Sequence, residues 1–393
     1  MNIPHHSQLG EVCRFVSGGT PRRNVARYFQ GDIPWITGTD VTSDVILKAR
    51  HYITPEAIES SATNVVAKGN ILLVTRTGVG KVAIAGVDIC ISQDFTGLIP
   101  DTERLDVWYL FYYLRAKEQY LVAHQRGATI QGITREVVAT LSIPLPPLPE
   151  QKRIATILAK ADRLRRLRRY ARTLSDTYLQ SVSLQLFGDP VTNPMGWSIS
   201  PLRTVSYKFQ DGPFGSNLKT SHYQASGVRV IRLQNIGVGE LVDDDQAFIS
   251  EAHFATISKH RCEPGDVIVG TLGDPNLRAC ILPKSIPLAL NKADCVQIRV
   301  DPKKATADFI CWLLNLPQTL FLARGMIHGQ TRSRISMGQL ARLEVPIPPL
   351  SMQKRFDEIV HKFERLRAQQ REAERQAEHL FQTLLHRAFE GGL

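Results

Sequence analysis

Residues 143–154 of the chain read IPLPPLPEQKRI, and residues 345–356 read VPIPPLSMQKRF. Proline lacks an amide donor and biases the preceding residue toward extended geometry, so neither proline run is expected to be helical. Each run leads directly into a long segment that contains no proline or glycine. A proline-rich strap followed by a long helix is therefore predicted twice, and this repetition determines the rest of the fold prediction.

Both long segments are predicted to be amphipathic helices. Apolar residues recur at steps of three and four, from Ile154 to Val182 in the first segment and from Phe356 to Leu384 in the second. So narrow an apolar stripe is typical of a coiled coil, and two such stripes in one chain most simply pack on each other. A helix of roughly 36 residues would be about 54 Å long at the helical rise of 1.5 Å per residue.

The composition is that of a globular protein with a polyanionic partner. The 393 residues are 43% hydrophobic and 22% charged, which is ordinary for two or three domains. A net charge of +11 favours nucleic acid as the partner. The six cysteines form no Cys-x-x-Cys pair, so neither a zinc site nor a disulfide framework is predicted. Because we find no signal-peptide pattern and no apolar run of membrane-spanning length, we expect a cytoplasmic protein without a membrane partner.

Self-comparison extends the repetition to the whole chain. At an offset of 196, residues 68–75 align with residues 264–271, which places a turn and a buried strand at the same point in both halves. At an offset of 202, residues 127–133 align with residues 329–335, and Asp106 aligns with Asp308. We predict an α+β fold in which two β-rich domains are separated by two long helices, packed on each other as a coiled coil, in a pseudo-twofold internal repeat.

Motifs for covalent chemistry are incomplete in this chain. The GVGK turn at residues 78–81 lacks the further glycine and the Ser or Thr of a phosphate-binding loop, so we predict a structural turn. The EQK trio at residues 150–152 has the spacing of some nucleases, but its repeat at residues 352–354 reads MQK, and a helix start explains both. The NPM sequence at residues 193–195 is not an adenine-methylating motif. The prediction is a non-catalytic protein without metal ligands or a bound cofactor.

Base-reading residues are predicted on glycine-bearing turns, because such turns can enter a DNA groove while neighbouring strands hold them. Arg can bind guanine through two hydrogen bonds, and Asn or Gln can bind adenine in the same way. For each residue an ordinary surface role is the alternative. The candidates of the first half are Arg22, Arg23, Arg76, Lys81, Arg126, Thr129 and Gln131. Those of the second half are Lys219, Arg232, Gln234, Asn235, Asn276, Arg278, Asn291, Lys292, Gln330, Arg332 and Arg334.

The first long helix is also strongly basic. Two interpretations stay open for its arginines: a solvated helix face, or contact with phosphates or an acidic partner. The second long helix is close to neutral, and this asymmetry favours a use for the positive charge. The arginines concerned are Arg163, Arg165, Arg166, Arg168, Arg169 and Arg172.

The duplicated order of these motifs resembles that of the specificity subunits of Type I restriction-modification systems. The resemblance covers essentially the whole chain and is carried by short motifs. They are the two straps at residues 144–154 and 346–356, the Gly-x-Thr-x-x-x-Ile turns at residues 127–133 and 329–335, and the GGTP turn at residues 18–21. The resemblance implies that the two long helices are antiparallel and join two target recognition domains. Each domain would read one half of a split, asymmetric sequence in double-stranded DNA.

Partners and domain bounds follow from the same resemblance. It implies two methyltransferase subunits that use S-adenosylmethionine. It also implies restriction subunits that use ATP and Mg²⁺ to translocate and cleave DNA in phage defence. The specificity subunit itself would catalyse nothing and bind no cofactor. The target recognition domains would span residues 1–143 and 191–345, and the straps with their helices residues 144–190 and 346–393.

Two other classes of protein share part of this pattern. A basic coiled-coil adaptor that binds RNA outside restriction would have long helices and positive charge, but would not require two similar β-rich domains with unlike loops. A restriction enzyme in which this chain itself supplied catalysis would require motifs that we do not find in the sequence.

Overall fold

The computed structural model describes residues 5–127, 131–329 and 333–391. The chain divides into two compact units, the first comprising Met1–Arg169 with Glu372–Leu393 and the second Tyr170–Arg371. Each unit contains β-sheets, one strap and parts of two long helices, which we call the central helix (Leu148–Asp176) and the distal helix (Leu350–His386). The predicted α+β class is confirmed. The predicted domain boundaries stay a prediction.

The first unit has two main sheets and a two-stranded ribbon. The five-stranded sheet runs in the order Cys13–Ser17, Phe95–Pro100, Ile71–Val74, Val82–Ala85 and Val45–Ile46. The four-stranded sheet runs in the order His51–Ile53, Ile33–Ile36, Ile89–Ile91 and Asn64–Val66, and the ribbon pairs His6–Gln8 with Ser142–Pro144. The short helices are Leu9–Val12, Pro55–Glu59, Val107–Ala116, Glu118–Ala123 and Arg135–Ala139, with 3₁₀ turns at Ala26–Phe29 and Gly38–Asp40.

The second unit repeats this plan with small changes. Its four-stranded sheet runs Ser206–Gln210, Cys295–Val300, Val267–Gly270 and Ala279–Ile281, and its five-stranded sheet runs Tyr223–Gln224, Phe248–Ile249, Val228–Ile231, Ala289–Asn291 and Arg261–Cys262. The ribbon pairs Ser198–Pro201 with Glu344–Ile347. Its helices include Tyr178–Phe187, Glu251–Thr256, Ala307–Leu314, Pro317–Leu322 and Met337–Ala341. The 3₁₀ turns are Leu202–Val205, Gly215–Asn217, Thr220–His222, Leu233–Asn235, Ser258–His260 and Arg324–Met326.

Each strap is part strand and part helix start. The strand Ser142–Pro144 pairs with the first strand of its unit, and the central helix begins at Leu148, two residues before the predicted start at Glu150. Pro149 therefore lies in the first helical turn. Proline is tolerated there because the amide that it lacks would have no intrahelical partner.

The glutamine of each strap ties the long helix to the start of a short one. Gln151 is fully buried, accepts a hydrogen bond from the Asp106 backbone N–H at 2.9 Å, and donates to the carbonyl oxygens of Arg104 and Pro146 at 2.8 and 2.9 Å. Gln353 accepts from the backbone N–H of Thr306 at 2.8 Å in the same way. Asp106 therefore corresponds to Thr306, and the predicted match of Asp106 with Asp308 is wrong by two residues.

Replacing Gln151 with Met is expected to destabilise the first unit by about 2 kcal/mol, because buried backbone groups lose their partners while the side-chain volume is kept. The measurement is the hydrogen-exchange stability of the amides of Val107–Ala116. Lys152→Met, at the exposed neighbouring position, is the control and should change little. Equal losses in the two variants would count against this role of Gln151.

The two long helices run antiparallel within the first unit. Arg165 forms an ion pair with Glu378 at 3.0 Å, and Arg169 lies 3.7 Å from Glu374, so residue numbers rise on one helix as they fall on the other. These contacts are polar. The arginine side chains, rather than an apolar seam, join the helices at this point.

The same direction holds within the second unit. Ser175 donates a hydrogen bond to Gln370 at 3.1 Å, and the rings of Tyr178 and Phe363 stack with centroids 4.9 Å apart. The first long helix was predicted to be continuous to Phe187, but it is interrupted at Thr177 before Tyr178–Phe187 resumes and ends at Gly188.

Much of the predicted apolar seam is exposed. Leu164, Leu167, Leu174 and Tyr178 have 39, 53, 57 and 47% of their surface accessible, respectively. On the distal helix, Leu366 and Leu380 are exposed as well. The helices bury apolar residues nearer their ends, where they pack on the globular parts of their units. In the first unit Phe389 packs on Tyr109 and Tyr113, with ring centroids 5.1 and 5.4 Å apart.

Within the described residues, no helix is both long and apolar enough to cross a membrane. All six cysteines are buried and unpaired. Burial raises the pKa of the Cys280 thiol to about 12, so this thiol is protonated at neutral pH and packs as a small apolar group.

Candidate nucleic-acid interface

Two of the predicted turns of the first unit are held side by side. Arg76 and Arg126 each form a β-bridge with Gly132, and the Ile133 N–H donates to the Thr75 carbonyl at 2.9 Å. The loop between Arg126 and Gly132 therefore leaves and rejoins the unit beside the strand end that carries Arg76. The side chains of Arg76 and Arg126 are both exposed.

The GVGK sequence forms the predicted structural turn between two strands. It joins Ile71–Val74 to Val82–Ala85, and Gly78 and Gly80 have φ values of +111° and +91°, a backbone region that favours glycine. Lys81, the last residue of this turn, is exposed. The turn thus presents Arg76 and Lys81 on a rigid support.

A third turn lies beside the other two and was not among the sequence candidates. A Cβ on Gly38 would lie 3.1 Å from the Thr77 carbonyl oxygen, so the 3₁₀ turn Gly38–Asp40 packs directly against the Arg76 turn. Thr39 is exposed at its surface, and Arg50 pairs with the buried Asp40. We call residues 37–40, 76–81, 126–127 and 131–132 the first loop cluster.

The second unit builds the same arrangement from different side chains. Leu272 and His328 each form a β-bridge with Arg334, and the Ile335 N–H donates to the Thr271 carbonyl at 3.0 Å. The 3₁₀ turn Leu233–Asn235 lies against the strand Val267–Gly270, since a Cβ built on Gly270 would lie 3.4 Å from the Leu233 side chain. We call residues 232–235, 271–278, 291–294, 328–329 and 333–334 the second loop cluster.

Charge and aromatic rings are closely interleaved in the second loop cluster. The charged ends of Arg232 and Lys292 lie 5.9 and 5.7 Å from the centroid of the Tyr223 ring. Arg334 pairs with Asp294 at 2.7 Å and lies over the Phe214 ring. Arginine and lysine held over aromatic rings keep their donors while losing little freedom.

Asp245 adds a carboxylate next to this cluster. Its Oδ1 lies 2.7 Å from the Arg232 guanidinium, and its Oδ2 accepts a hydrogen bond from Gln234 at 2.9 Å. The hydrogen bonds from Gln234 and Arg232 hold the pKa of Asp245 below its ordinary value, so the group is charged at neutral pH.

Three of the predicted asparagines are buried and support the backbone. Asn235 donates to the carbonyls of Val242 and Asp245, Asn276 donates to that of Ser333, and Asn291 donates to that of Cys295. Their amides do not face solvent here, so their role in this structure is to shape the loops. Sequence composition alone does not separate such amides from surface ones.

The remaining candidates are spread more widely. Arg22 and Arg23 are exposed on a segment whose Gly19 N–H donates to the Ile91 carbonyl. Lys219 is exposed, Arg278 is half-buried and Gln131 is exposed within the first loop cluster. Thr129, Gln330 and Arg332 lie outside the described residues.

The basic run on the central helix is partly engaged within the first unit. Arg166 pairs with both Asp44 and Asp162, and Arg165 pairs with Asp162 at 2.6 Å and with Glu378. These side chains hold the helix to its own unit. Arg163 and Arg168 are exposed.

A model of the Type I restriction modification DNA specificity domain matches residues 5–171 and 223–377. The chain belongs to this family. One matched segment lies in each copy of the repeat. Within the described residues, no three His, Cys, Asp or Glu side chains form a group that could hold a metal ion.

Curated relatives in this family are specificity subunits. The chain is 26% identical over 267 residues to the MjaIX specificity subunit of Methanocaldococcus jannaschii, covering 62% of this chain and 59% of that protein. It is 23% identical over 376 residues to the MjaVIII specificity subunit of the same organism, covering 91 and 85%. It is 31% identical over 163 residues to the EcoR124I/EcoR124II specificity subunit of Escherichia coli, covering 40% of each. The matches thus span less than two thirds of the first and third of these relatives.

Solved structures of specificity subunits share the fold. The S subunit from M. genitalium matches with a TM-score of 0.56 at 17% identity, covering 99% of this chain and 97% of that one. A chain from a structure concerning complex assembly and conformational transition of the Type I system matches with a TM-score of 0.62 at 20% identity, covering 100 and 99%.

Proposed function

We propose that this chain selects the DNA target of a Type I restriction-modification complex. The first loop cluster reads one half of a split, asymmetric duplex sequence, and the second loop cluster reads the other half. Exposed Arg76 and Arg126 in the first cluster, and Arg334 in the second, are the proposed base or phosphate contacts.

The observation that carries the proposal is a repeated scaffold with unlike polar residues. The bridges that hold Arg76 to Gly132 recur between Leu272 and Arg334, yet the side chains exposed at these places differ. Two copies of one support with different loop chemistry are suited to reading two different sequences.

Long-read mapping of methylated adenines tests the proposal in cells that make the chain with its methyltransferase. We expect one asymmetric motif of two specified segments separated by unspecified bases. A continuous motif, or a perfect palindrome, would contradict the assignment of one half-site to each unit. Cells with the methyltransferase alone serve as the control.

We propose that the chain itself catalyses nothing and binds no cofactor. Methyltransferase subunits, two per complex, would bring S-adenosylmethionine, and restriction subunits would bring ATP and Mg²⁺. Incubation of the purified chain with DNA, Mg²⁺ and labelled S-adenosylmethionine tests this directly. Methyl transfer or cleavage by the pure chain would contradict the proposal.

The central helix offers a surface for the methyltransferase. Leu164 and Leu167 are exposed on one stripe of this helix, and Arg163 and Arg168 flank them. An exposed apolar stripe with basic neighbours fits an amphipathic helix of an acidic partner. We propose that a helical segment of the methyltransferase packs there.

Replacing both Leu164 and Leu167 with Glu is expected to weaken assembly with the methyltransferase at least about tenfold, because two apolar contacts become buried charges. Co-purification at defined concentrations, followed by analytical ultracentrifugation, measures the effect. Ile199→Glu, at a strand residue 56% exposed, is the matched control. Normal assembly of the double variant would place the methyltransferase elsewhere.

A further inference from the structure

The 3₁₀ turn beside each loop cluster has the same backbone in both units. The residues that precede the two turns, Thr37 and Arg232, have identical angles of φ −116° and ψ 166°. In each case the backbone N–H of this residue donates to the side chain of the third residue of the turn, at 2.8 Å in the first unit and 3.0 Å in the second. The two turns are therefore equivalent positions of the repeated scaffold.

The chain returns to each turn ten residues later. In the first unit the Arg50 N–H donates to the Asp40 carboxylate, and the Arg50 guanidinium lies 3.6 Å from the same group. In the second unit Asn235 donates to the carbonyl oxygen of Asp245, whose carboxylate pairs with Arg232. The donor in the first unit belongs to the peptide group between Ala49 and Arg50, and the acceptor in the second unit belongs to the peptide group between Asp245 and Gln246. These two peptide groups are equivalent, and Arg50 and Asp245 lie on opposite sides of them.

The charged group exposed beside this peptide differs between the units. In the first unit it is a cation, since the Arg50 side chain is 64% exposed and its partner Asp40, the third residue of the turn, only 3%. In the second unit it is an anion, since Asp245 is 58% exposed and its partner Arg232, which precedes the turn, only 19%. The two units therefore present a guanidinium and a carboxylate, respectively, next to an equivalent peptide group.

Both groups stand next to the loops that we propose to read DNA. The turn that Arg50 caps packs on the Thr77 carbonyl in the first loop cluster. In the second unit, Leu233 lies 3.4 Å from a Cβ built on Gly270, and Gln234 donates to Asp245. The pairs are thus supported by the same strands as the candidate base contacts.

The geometry points to Arg50 and Asp245 as specificity-determining residues, one for each half-site, an inference that rests on the proposed function. A guanidinium donates to the O6 and N7 acceptors of guanine, whereas a carboxylate accepts from the exocyclic amino group of cytosine. An exposed carboxylate also repels the DNA phosphates. That cost in general affinity is offset by rejection of bases that offer no donor.

Asp245→Ala, Asp245→Asn and Arg50→Ala test the inference in the complex with the methyltransferase, by long-read methylation mapping. Asp245→Ala should relax one position of one half-site, with discrimination falling about ten- to a hundredfold. Asp245→Asn should move the preference at that position from cytosine toward adenine, because an amide can bind adenine through two hydrogen bonds. Arg50→Ala should relax one position of the other half-site only.

Asp244→Ala is the matched control for Asp245, and Lys48→Ala is the matched control for Arg50. Each control residue is exposed, lies within two residues of its counterpart and has the same charge. Unchanged motifs in the Asp245 and Arg50 variants would overturn the inference, as would simultaneous changes in both half-sites. If Asp245→Ala fails to assemble with the methyltransferase, the test rests on Asp245→Asn, whose side chain has the same shape as that of aspartate. If both Asp245 variants fail to assemble while Asp244→Ala assembles normally, Asp245 is needed for folding and the inference is overturned. A wild-type complex without a two-part motif would instead overturn the proposed function.

Discussion

A chain with one extra heptad in each long helix is expected to direct methylation to a target whose two halves lie about three base pairs farther apart. The insertions are a copy of residues 165–171 after Ala171 and a copy of residues 366–372 after Glu372. They fall between the contact of Arg169 with its partner in the first unit and that of Ser175 in the second, so each unit keeps its own helix register.

The expected distance follows from helix geometry. Seven residues at 1.5 Å lengthen a helix by about 10.5 Å, and DNA rises about 3.4 Å per base pair. A heptad also approximately preserves the face of each helix. Methylation mapping should show both half-site sequences unchanged, with methylation at the original spacing lost.

Insertion into the central helix alone is the control for the heptad experiment, and it should impair assembly because the antiparallel pairing of the helices would no longer match. If the doubly lengthened chain assembles with its methyltransferase and keeps the original spacer, the long helices do not set the distance between half-sites.

Asp162→Ala is expected to destabilise the first unit by about 4 kcal/mol, because it removes one member of a buried ionic cluster. The Asp162 side chain is 4% exposed and lies 3.2 Å from Arg115, which is itself 20% exposed. Arg165 and Arg166 keep other carboxylate partners, Glu378 and Asp44. Arg115 loses its carboxylate in a place where water cannot fully replace it.

The pH dependence of this loss has a defined sign. Burial alone would raise the pKa of Asp162, but the Arg115 charge and the hydrogen bonds from Arg165 and Arg166 outweigh it and lower the pKa. A lowered folded pKa gives stability that is present above the ordinary value of about 3.9 and lost as pH falls through the folded value. The difference between wild type and Asp162→Ala should be constant from pH 8 to 5 and shrink only below about pH 4.

Hydrogen exchange resolved by unit measures the effect of Asp162→Ala, since the two units need not unfold together. Glu56→Ala is the control in the same unit, where the carboxylate pairs with Arg27 at 2.8 Å and the two side chains are 50 and 68% exposed. It should cost less than about 1 kcal/mol. Equal effects of the two substitutions would show that burial of Asp162 is not what makes its cluster stabilising.

The repeat and its straps could be predicted from sequence because prolines, glycines and spacing act locally. The role of Gln151 could not, because its three partners are backbone groups that only the folded chain brings together. The helical seam was misjudged for a related reason. Periodicity identifies the apolar face of a helix, but it does not say whether that face meets the other helix, and Leu167 and Leu174 remain exposed.

The candidate site shows the same division. Arg76 and Arg126 were predicted from glycine-bearing turns, and the structure brings them to one loop cluster. Asn291 had the same chemical signature but is fully buried. Arg50 was missed because no glycine pattern marks it. Its position next to the first loop cluster depends on the hydrogen bond and ion pair with Asp40, which only the folded chain brings together.

The division of the chain into units also sets the order in which the two units are completed during translation. The second unit is one unbroken stretch, Tyr170–Arg371, whereas the first needs Glu372–Leu393, which are translated after the whole second unit. Until Phe389 arrives, Tyr109 and Tyr113 lack a ring that covers them in the finished protein. The half translated first is therefore completed second, and in the interval its aromatic surface is open to chaperones or to aggregation.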